Sequence, residues 1–302
     1  MSGEETLVTV LMWCRNVEMS FFREALRSIR SQTSPRWELC IIVDADDPAA
    51  PAAIVPEIES CTDSRIFVAE NESRLITGAF NTGMRKAATP YVCVLHADDL
   101  LDGRAIQILN RYIKQYNCVD YFHSSRIYID DDGVEISDIK RSIDSFTLDD
   151  FRNFGPVKHL HCFKVRSALA IGGMDESLGM HGADDYDFPW SMAEAGYTFK
   201  AIPEALYYYR DHRRHYRLTT HVPLDVQVHD LVKIWQKHGM TEREIEDQIQ
   251  SRTAGYLKQA LYLDEEDRGR KESEGHDARQ GWRQRYWKSG QGAGTRGRDG
   301  AP

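Results

Sequence analysis

The sequence predicts an α/β fold with a mostly parallel central sheet flanked by helices, followed by a C-terminal helical extension. Three observations predict it. Apolar, β-branched runs alternate with helical periodicity through residue 116, the pattern of a parallel sheet with crossover helices. Those runs lack polar alternation, so the strands read as buried on both faces. Two of them break into acidic turns, at 44–47 and 98–99, and in such sheets ligands bind beyond the carboxyl ends of the strands.

The elements follow in order. "TLVTVLM" (6–12) reads as the first strand. In "SFFREALRSIRSQT" (20–33), Phe21, Phe22, Ala25, Leu26 and Ile29 recur at helical spacing. "WELCIIVDADDP" (37–48) is a strand that breaks into an acidic turn, and "PAAIVPEIESC" (51–61) is a helix with Pro51 near its start. "RIFVAE" (65–70) is a third strand, 76–88 a helix, "YVCVL" (91–95) a fourth strand and 104–116 another helix. After "VDYFHSSRIYID" the alternation fails, and "DDDG" (130–133) has the composition of a hairpin turn before "VEISD". A helix opens in 185–199 and ends near Gly196, "ALYYYR" (205–210) is a strand, and two helices occupy 224–239 and 241–263. From Ser289 onward the composition is that of a disordered segment.

The 302 residues are 41% hydrophobic and 28% charged, ordinary for a globular protein. A net charge of −9 argues against general nucleic-acid binding. Cysteines at 14, 40, 61, 93, 118 and 162 show no CxxC spacing, so they are read as reduced thiols of a cytoplasmic protein. "MSGEETLVTV" lacks the regions of a signal peptide. No run approaches the roughly 20 apolar residues that span a bilayer.

The stretch "PYVCVLHADDLLDG" (90–103) carries the chemical question. An apolar strand ends on adjacent like charges, Asp98 and Asp99, which repel unless water, a partner or a cation relieves them. One reading is helix capping by Asp99 or Asp102. The other is a divalent-metal site.

Several motifs now fall in register. "VTVLMWCRN" stands where an opening strand usually reads V-S-V-I-I-P-T-Y-N. "FFREALRSIRSQTSPRWELCIIVDADDP" matches a helix, a Q-T segment and a V-D-D-G-S turn. "GAFNTGMRKAATPYVCVLHADDLL" matches an A-R-N-x-G helix and a D-A-D-D strand end. "IGGMDESLGMHGADDYDFPWSMAEAGYTFKAIPEALYYYRDH" matches G-G-F-D-E, E-D-Y-D and Y-Y-R-x-H. Over residues 6–215 the chain resembles the family 2 glycosyltransferases of the GT-A fold, a Rossmann-like architecture. Each motif alone is weak, but their order and spacing are specific. The departures are His96 for the first Asp of D-A-D-D, Ala45 for the second Asp of V-D-D-G-S, Phe80 for the Arg of A-R-N, and Trp13, Cys14 and Arg15 for P-T-Y.

The resemblance implies a metal-dependent, inverting transfer from a nucleotide-diphosphate sugar, a UDP-sugar, to a hydroxyl of an unknown acceptor. It implies that Asp99 ligates Mn²⁺ or Mg²⁺, that Asp98 contacts the ribose or the metal's waters, and that His212 completes the shell. A cation neutralises the leaving diphosphate and takes few carboxylates plus phosphate oxygens. Asp44 keeps the carboxylate that meets the nucleoside, and Asp46 is the candidate to replace the contact Ala45 lacks; the alternative is an Asx-turn. Arg74, Arg85 and Lys86 are read either as phosphate contacts or as a solvated helix face, with Arg74 singled out. Asp184 and Asp185 occupy the E-D pair, with Asp185 as general base; first-turn acids favoured by the helix dipole are the alternative for Asp184 and Asp187. His159 and His161, at i and i+2, share one face of a strand but lack the further ligands of a zinc site.

The implied organisation is a glycosyltransferase domain over 1–220, with a nucleotide-sugar half (about 1–116) and an acceptor half (about 117–220). A helical extension (221–265) and a polar, basic tail (266–302) follow. Between Arg279 and Pro302, six Arg/Lys less one Asp leave +5, interleaved with Trp282, Tyr286 and Trp287. That pattern suits contact with anionic lipid headgroups or a lipid-linked acceptor, or else a helix packed back on the domain. Two rival functions stand beside transfer: a catalytically silent sugar-nucleotide-binding scaffold of the same fold, and a nucleotidyltransferase, which would show a Gly-rich loop where "MWCRNVEMS" has no glycine.

Overall fold

The computed structural model describes residues 5–47, 49–153, 155–179, 181–211 and 223–260. His212 and the basic tail lie outside the described residues. The chain divides into two compact units, Met1–His221 and Val222–Pro302.

The first unit is built on an eight-stranded sheet. In chain order it comprises β1 (Val8–Cys14), α1 (Met19–Arg30), β2 (Glu38–Val43), α2 (Ala49–Cys61), β3 (Ile66–Glu70), α3 (Leu75–Lys86), β4 (Tyr91–Val94), β5 (Leu100–Leu101) and α4 (Ala105–Gln115). Then come β6 (Tyr121–Ile129), α5 (Leu148–Asn153), β7 (His161–Lys164), α6 (Val165–Ala170), a π-helical turn (Ala183–Asp187), α7 (Phe188–Glu194) and β8 (Phe199–Arg210). The strand order is β3-β2-β1-β4-β7-β6-β8-β5. Strands β1, β2, β3 and β4 pair in parallel, as do β6 and β8. Only β7 and the two-residue β5 run against their neighbours.

The core explains these choices. Strand β4 is buried throughout and β1 nearly so, as expected of runs without polar alternation. The five apolar residues of α1 that recur at helical spacing are all buried. Burying a side chain of that size stabilises the fold by about 1.5–3 kcal/mol. Helix α3 packs tightly because Gly83 has no side chain: a Cβ there would meet Leu11 Cδ2 at 2.8 Å. Gly173, at φ +80°, lets its loop pass against Asn81, whose amide pairs with both Met174 backbone groups at 2.8 and 2.9 Å. The Asn of the A-R-N-like helix therefore works as a structural clip.

The "DDDG" segment turns as expected. Gly133 has φ +79°, and the Asp130 amide donates to the Val134 carbonyl at 2.9 Å. "VEISD" forms a single isolated bridge with β6, Ile129 to Glu135, rather than a strand.

The second unit contains the two expected helices, α8 (Leu224–Lys237) and α9 (Glu242–Ala260). Gly239, at φ +70°, ends the first. Thr241 and Glu244 open the second with reciprocal bonds: Thr241 N–H and Oγ1–H donate to the Glu244 carboxylate at 2.7 Å each, and Glu244 N–H donates to Thr241 Oγ1 at 3.3 Å.

Candidate active site

The carboxyl ends of β1, β2 and β4 lie on one edge of the sheet, because those strands run the same way. β1 sits between β2 and β4, where the sheet order reverses, and a crevice forms at such a point. Both acidic turns flank it. The thiol of Cys14, the last residue of β1, is raised by burial and then by the charges of Asp98 and Asp44. Both carboxylates therefore reach one point at the strand end.

On the β2 side, Asp44 is 3% exposed and saturated with donors. Asn71 Nδ2 donates to its Oδ1 at 2.6 Å and Trp13 Nε1 at 3.1 Å, while Arg15 Nη1 donates to Oδ2 at 2.9 Å. The same Arg15 nitrogen reaches Asp46 at 2.6 Å. That bond to Arg15 holds the exposed Asp46 carboxyl below the usual range, with a smaller contribution from Arg74. Two departures from P-T-Y thus supply new donors to the turn. Arg85 and Lys86 pair with Glu72 at 3.0 and 2.7 Å, and Arg74 is exposed at the start of α3.

On the β4 side the two aspartates differ. Asp99 is 3% exposed, and both its oxygens accept bonds: Oδ2 from the Tyr207 hydroxyl at 2.6 Å and Oδ1 from the Arg210 amide at 2.7 Å. Burial, then the charge of Asp98, push Asp99 up to about 7. Asp98 is half-buried. The Arg210 side chain lies beneath this loop, 1% exposed. It donates to the carbonyls of Asp98 (2.8 Å), Asp130 (3.0 Å) and Asp131 (2.9 Å) and to Glu24 (2.5 Å).

The second acidic pair stands on the π-helical turn. Gly182, at φ +75°, starts it, and the Asp187 amide donates five residues back to the Gly182 carbonyl at 2.8 Å. Such turns recur at functional sites. Asp184 is buried and Asp185 half-buried. Burial, then the charge of Asp185, push Asp184 up to about 6. Its Oδ2 lies 3.6 Å from His96 Nε2. Burial works against a charged His96, yet the fields of Asp184, Asp99, Asp98 and Asp185 outweigh it and raise the imidazole. One residue, His96, therefore feels all four aspartates.

The pairing Val94↔His161 of antiparallel β4 and β7 carries His159 alongside His96, with ring centroids 5.5 Å apart. His159 and His161 stack edge-on at 4.4 Å. Among the described residues, no three His, Cys, Asp or Glu side chains converge as an all-protein metal site. Sequence reasoning missed Trp13, Arg15, Asn71, Tyr207 and Arg210. Three carried a signal: Trp13 as an indole N–H where the motif has proline, Arg15 as a cation where it has tyrosine, and Arg210 as the arginine of the Y-Y-R-x-H match.

A family model described as "Glycosyl transferase family 2" matches residues 9–165, just over half of the chain. The chain belongs to that family. As a family 2 glycosyltransferase it is an enzyme, which sets aside the scaffold and nucleotidyltransferase readings. This glycosyltransferase is 24% identical over 210 residues to "Uncharacterized glycosyltransferase MJ1057" of Methanocaldococcus jannaschii, covering 68% of this chain and 71% of that protein. It is 26% identical over 211 residues to the O-antigen biosynthesis protein RfbC of Myxococcus xanthus, covering 68% of this chain but only 16% of that one. Among solved structures it resembles S. aureus TarS 1-349 in complex with UDP-GlcNAc, with a TM-score of 0.61 at 14% identity, covering 90% of this chain and 81% of the other. It also resembles the mannosyltransferase PcManGT of Pyrobaculum calidifontis in complex with GDP-Man and Mn²⁺, with a TM-score of 0.56 at 18% identity, covering 95% and 84%. These likenesses show the GT-A fold. Among the described residues no helix is long and apolar enough to cross a membrane.

Proposed function

We propose that this glycosyltransferase is metal-dependent and inverting, and moves a sugar from a UDP-sugar to an acceptor hydroxyl. One observation carries the reading: the strand-end aspartates and the acids of the π-helical turn bear on a single residue, His96. The structural neighbours hold UDP-GlcNAc or GDP-Man, which supports a nucleotide-sugar donor. A cytoplasmic setting accompanies the reading, since the six cysteines are free thiols.

A cation such as Mn²⁺ or Mg²⁺ that takes one or two carboxylates and completes its shell with diphosphate and water fits this strand end. Asp99, the ligand by family resemblance, and Asp98 are the candidate carboxylate ligands; the Asp99 oxygens also accept from the Tyr207 hydroxyl and the Arg210 amide, which tie the loop to β8. His212 remains the candidate to complete the shell. When bound, the cation neutralises the charge that develops on the leaving diphosphate. Asp44 and Asp46, oriented by Arg15, line the nucleoside end, with Arg74 at its rim.

Asp185 is the base. It is the more accessible of its pair, and it removes the acceptor proton as the new bond forms on the face opposite the leaving group. Asp184 and His96 hold the turn in place through their 3.6 Å contact.

Hydrolysis of UDP-sugars, which is transfer to water, tests the reading. EDTA should abolish turnover and Mn²⁺ restore it. Asp98→Ala should lose Mn²⁺-dependent UDP binding. Asp185→Asn should cut the rate by about 10²–10⁴-fold while UDP still binds. Full turnover in EDTA overturns the metal assignment. A silent Asp184→Asn beside a near wild-type Asp185→Asn moves the base to Asp184.

A further inference from the structure

Beside His96 lies a cluster with more hydrogen-bond donors than acceptors. Arg126 Nη1 donates to His159 Nδ1 at 3.0 Å and its Nη2 to the Tyr128 hydroxyl at 2.7 Å, while its Nε is buried without a partner. A guanidinium keeps all its protons, so His159 Nδ1 must accept. Burial, then the charges of His161 and Arg126, hold His159 far below the ordinary imidazole range. The ring is therefore neutral, with its proton on Nε2, and no described residue accepts that proton.

His123 repeats the pattern. Its Nδ1 accepts from the Lys158 amide at 3.4 Å, burial brings it down to about 4, and its Nε2 is buried without a partner. His161 meets the Tyr121 hydroxyl through Nδ1 at 2.9 Å, and its Nε2 too is unpartnered. Lys158 Nζ gives one proton, to the Gly155 carbonyl at 2.7 Å. Neither Arg126 nor Lys158 pairs with a carboxylate among the described residues. Both are only half-buried, so a ligand from solvent can reach them.

The cluster borders the base, and it also reaches the β4 strand end, where His159 packs against Tyr207, whose hydroxyl donates to Asp99. Asp185 acts on the Lys158 ammonium electrostatically, and His159 stands against His96. We infer that Arg126, Lys158 and His159 form a subsite for a phosphate group carried by the sugar acceptor, which presents the acceptor hydroxyl to Asp185. A phosphate offers several oxygens, each accepting more than one bond, to a planar fork and an ammonium. A neutral sugar hydroxyl brings at most two lone pairs. The donor's own diphosphate is assigned to the cation at Asp98, so the acceptor phosphate is probed with that site filled by UDP. The inference rests on the transfer reading above.

Titration calorimetry on the full chain tests it, with UDP and Mn²⁺ present at saturation so that the donor site is filled. Inorganic phosphate and glycerol 3-phosphate are the probes; acetate and glycerol are the controls. The wild type should bind both phosphates, and Arg126→Gln and Lys158→Gln should each weaken that binding by about tenfold or more. Acetate and glycerol should bind much more weakly. If Arg126→Gln fails to fold by circular dichroism, Arg126→Lys, which keeps the charge and loses the fork, takes its place. Phosphate binding that is absent, that vanishes once UDP is bound, that is unchanged in the variants, or that is matched by acetate overturns the subsite. Failure of UDP itself to bind overturns the donor reading instead, which separates the two.

Discussion

Arg15 replaces an aromatic residue of the family pattern and spends its guanidinium on Asp44 and Asp46. The carboxylates at 44, 98, 99, 184 and 185 were legible in the sequence as motif positions. Their states were not, because burial and neighbours set them. Those states predict a pH dependence. Asp99, raised to about 7 by burial and Asp98, and Asp184, raised to about 6 by burial and Asp185, hold protons more tightly when folded. Their contribution to stability is complete below an unfolded value of about 3.9 and is lost as pH rises through the folded values. His123, His159 and His161 are lowered, first by burial. Their contribution is present above an unfolded value of about 6.5 and is lost as pH falls toward the folded values. In metal-free protein in EDTA the two sets oppose each other between about pH 4 and 7, so Asp99→Asn should make Tm rise more steeply with pH across that window than in the wild type. An unchanged pH dependence of Tm in Asp99→Asn would contradict the Asp99 assignment.

The elements were the most legible level. Helical spacing in α1 and apolar runs in β1, β2 and β4 report burial directly, since period and composition are local properties. The π-helical turn was invisible to that reasoning. Its Gly182 bond forms where Tyr186 is tied to the Phe151 carbonyl, a partner from another element. The role of β8 was equally hidden. The sequence shows a strand ending in Arg210; the fold makes that arginine the tie between α1, the β4 loop and the turn after β6. Arg210→Met should cost about 3 kcal/mol, chiefly by stranding three carbonyls. Urea denaturation of the full chain reads this out. A loss within the surface-mutation range of about 0.5 kcal/mol would mean that water replaces the guanidinium.

At the scale of the whole glycosyltransferase, the test is ligand-linked stability. A UDP-sugar with Mn²⁺ at about a hundred times its Kd should stabilise the chain by about 2.7 kcal/mol, seen as a rise in Tm that EDTA removes. A rise with GDP-sugars alone would replace the nucleotide and keep the fold. The sequence by itself determined the α/β class, the order of the elements and the family, because apolar periodicity and motif spacing are written along one dimension. Tertiary structure alone decided which residues meet. The sheet places β7 antiparallel beside β4, and that register sets His159 against His96. The chain's return through β8 brings Tyr207 and Arg210 onto Asp99, and the π-helical turn brings Asp184 to His96. Such partners lie tens of residues apart or more. Pairing order and register between distant strands choose them, and no local pattern of apolar and polar residues encodes that choice.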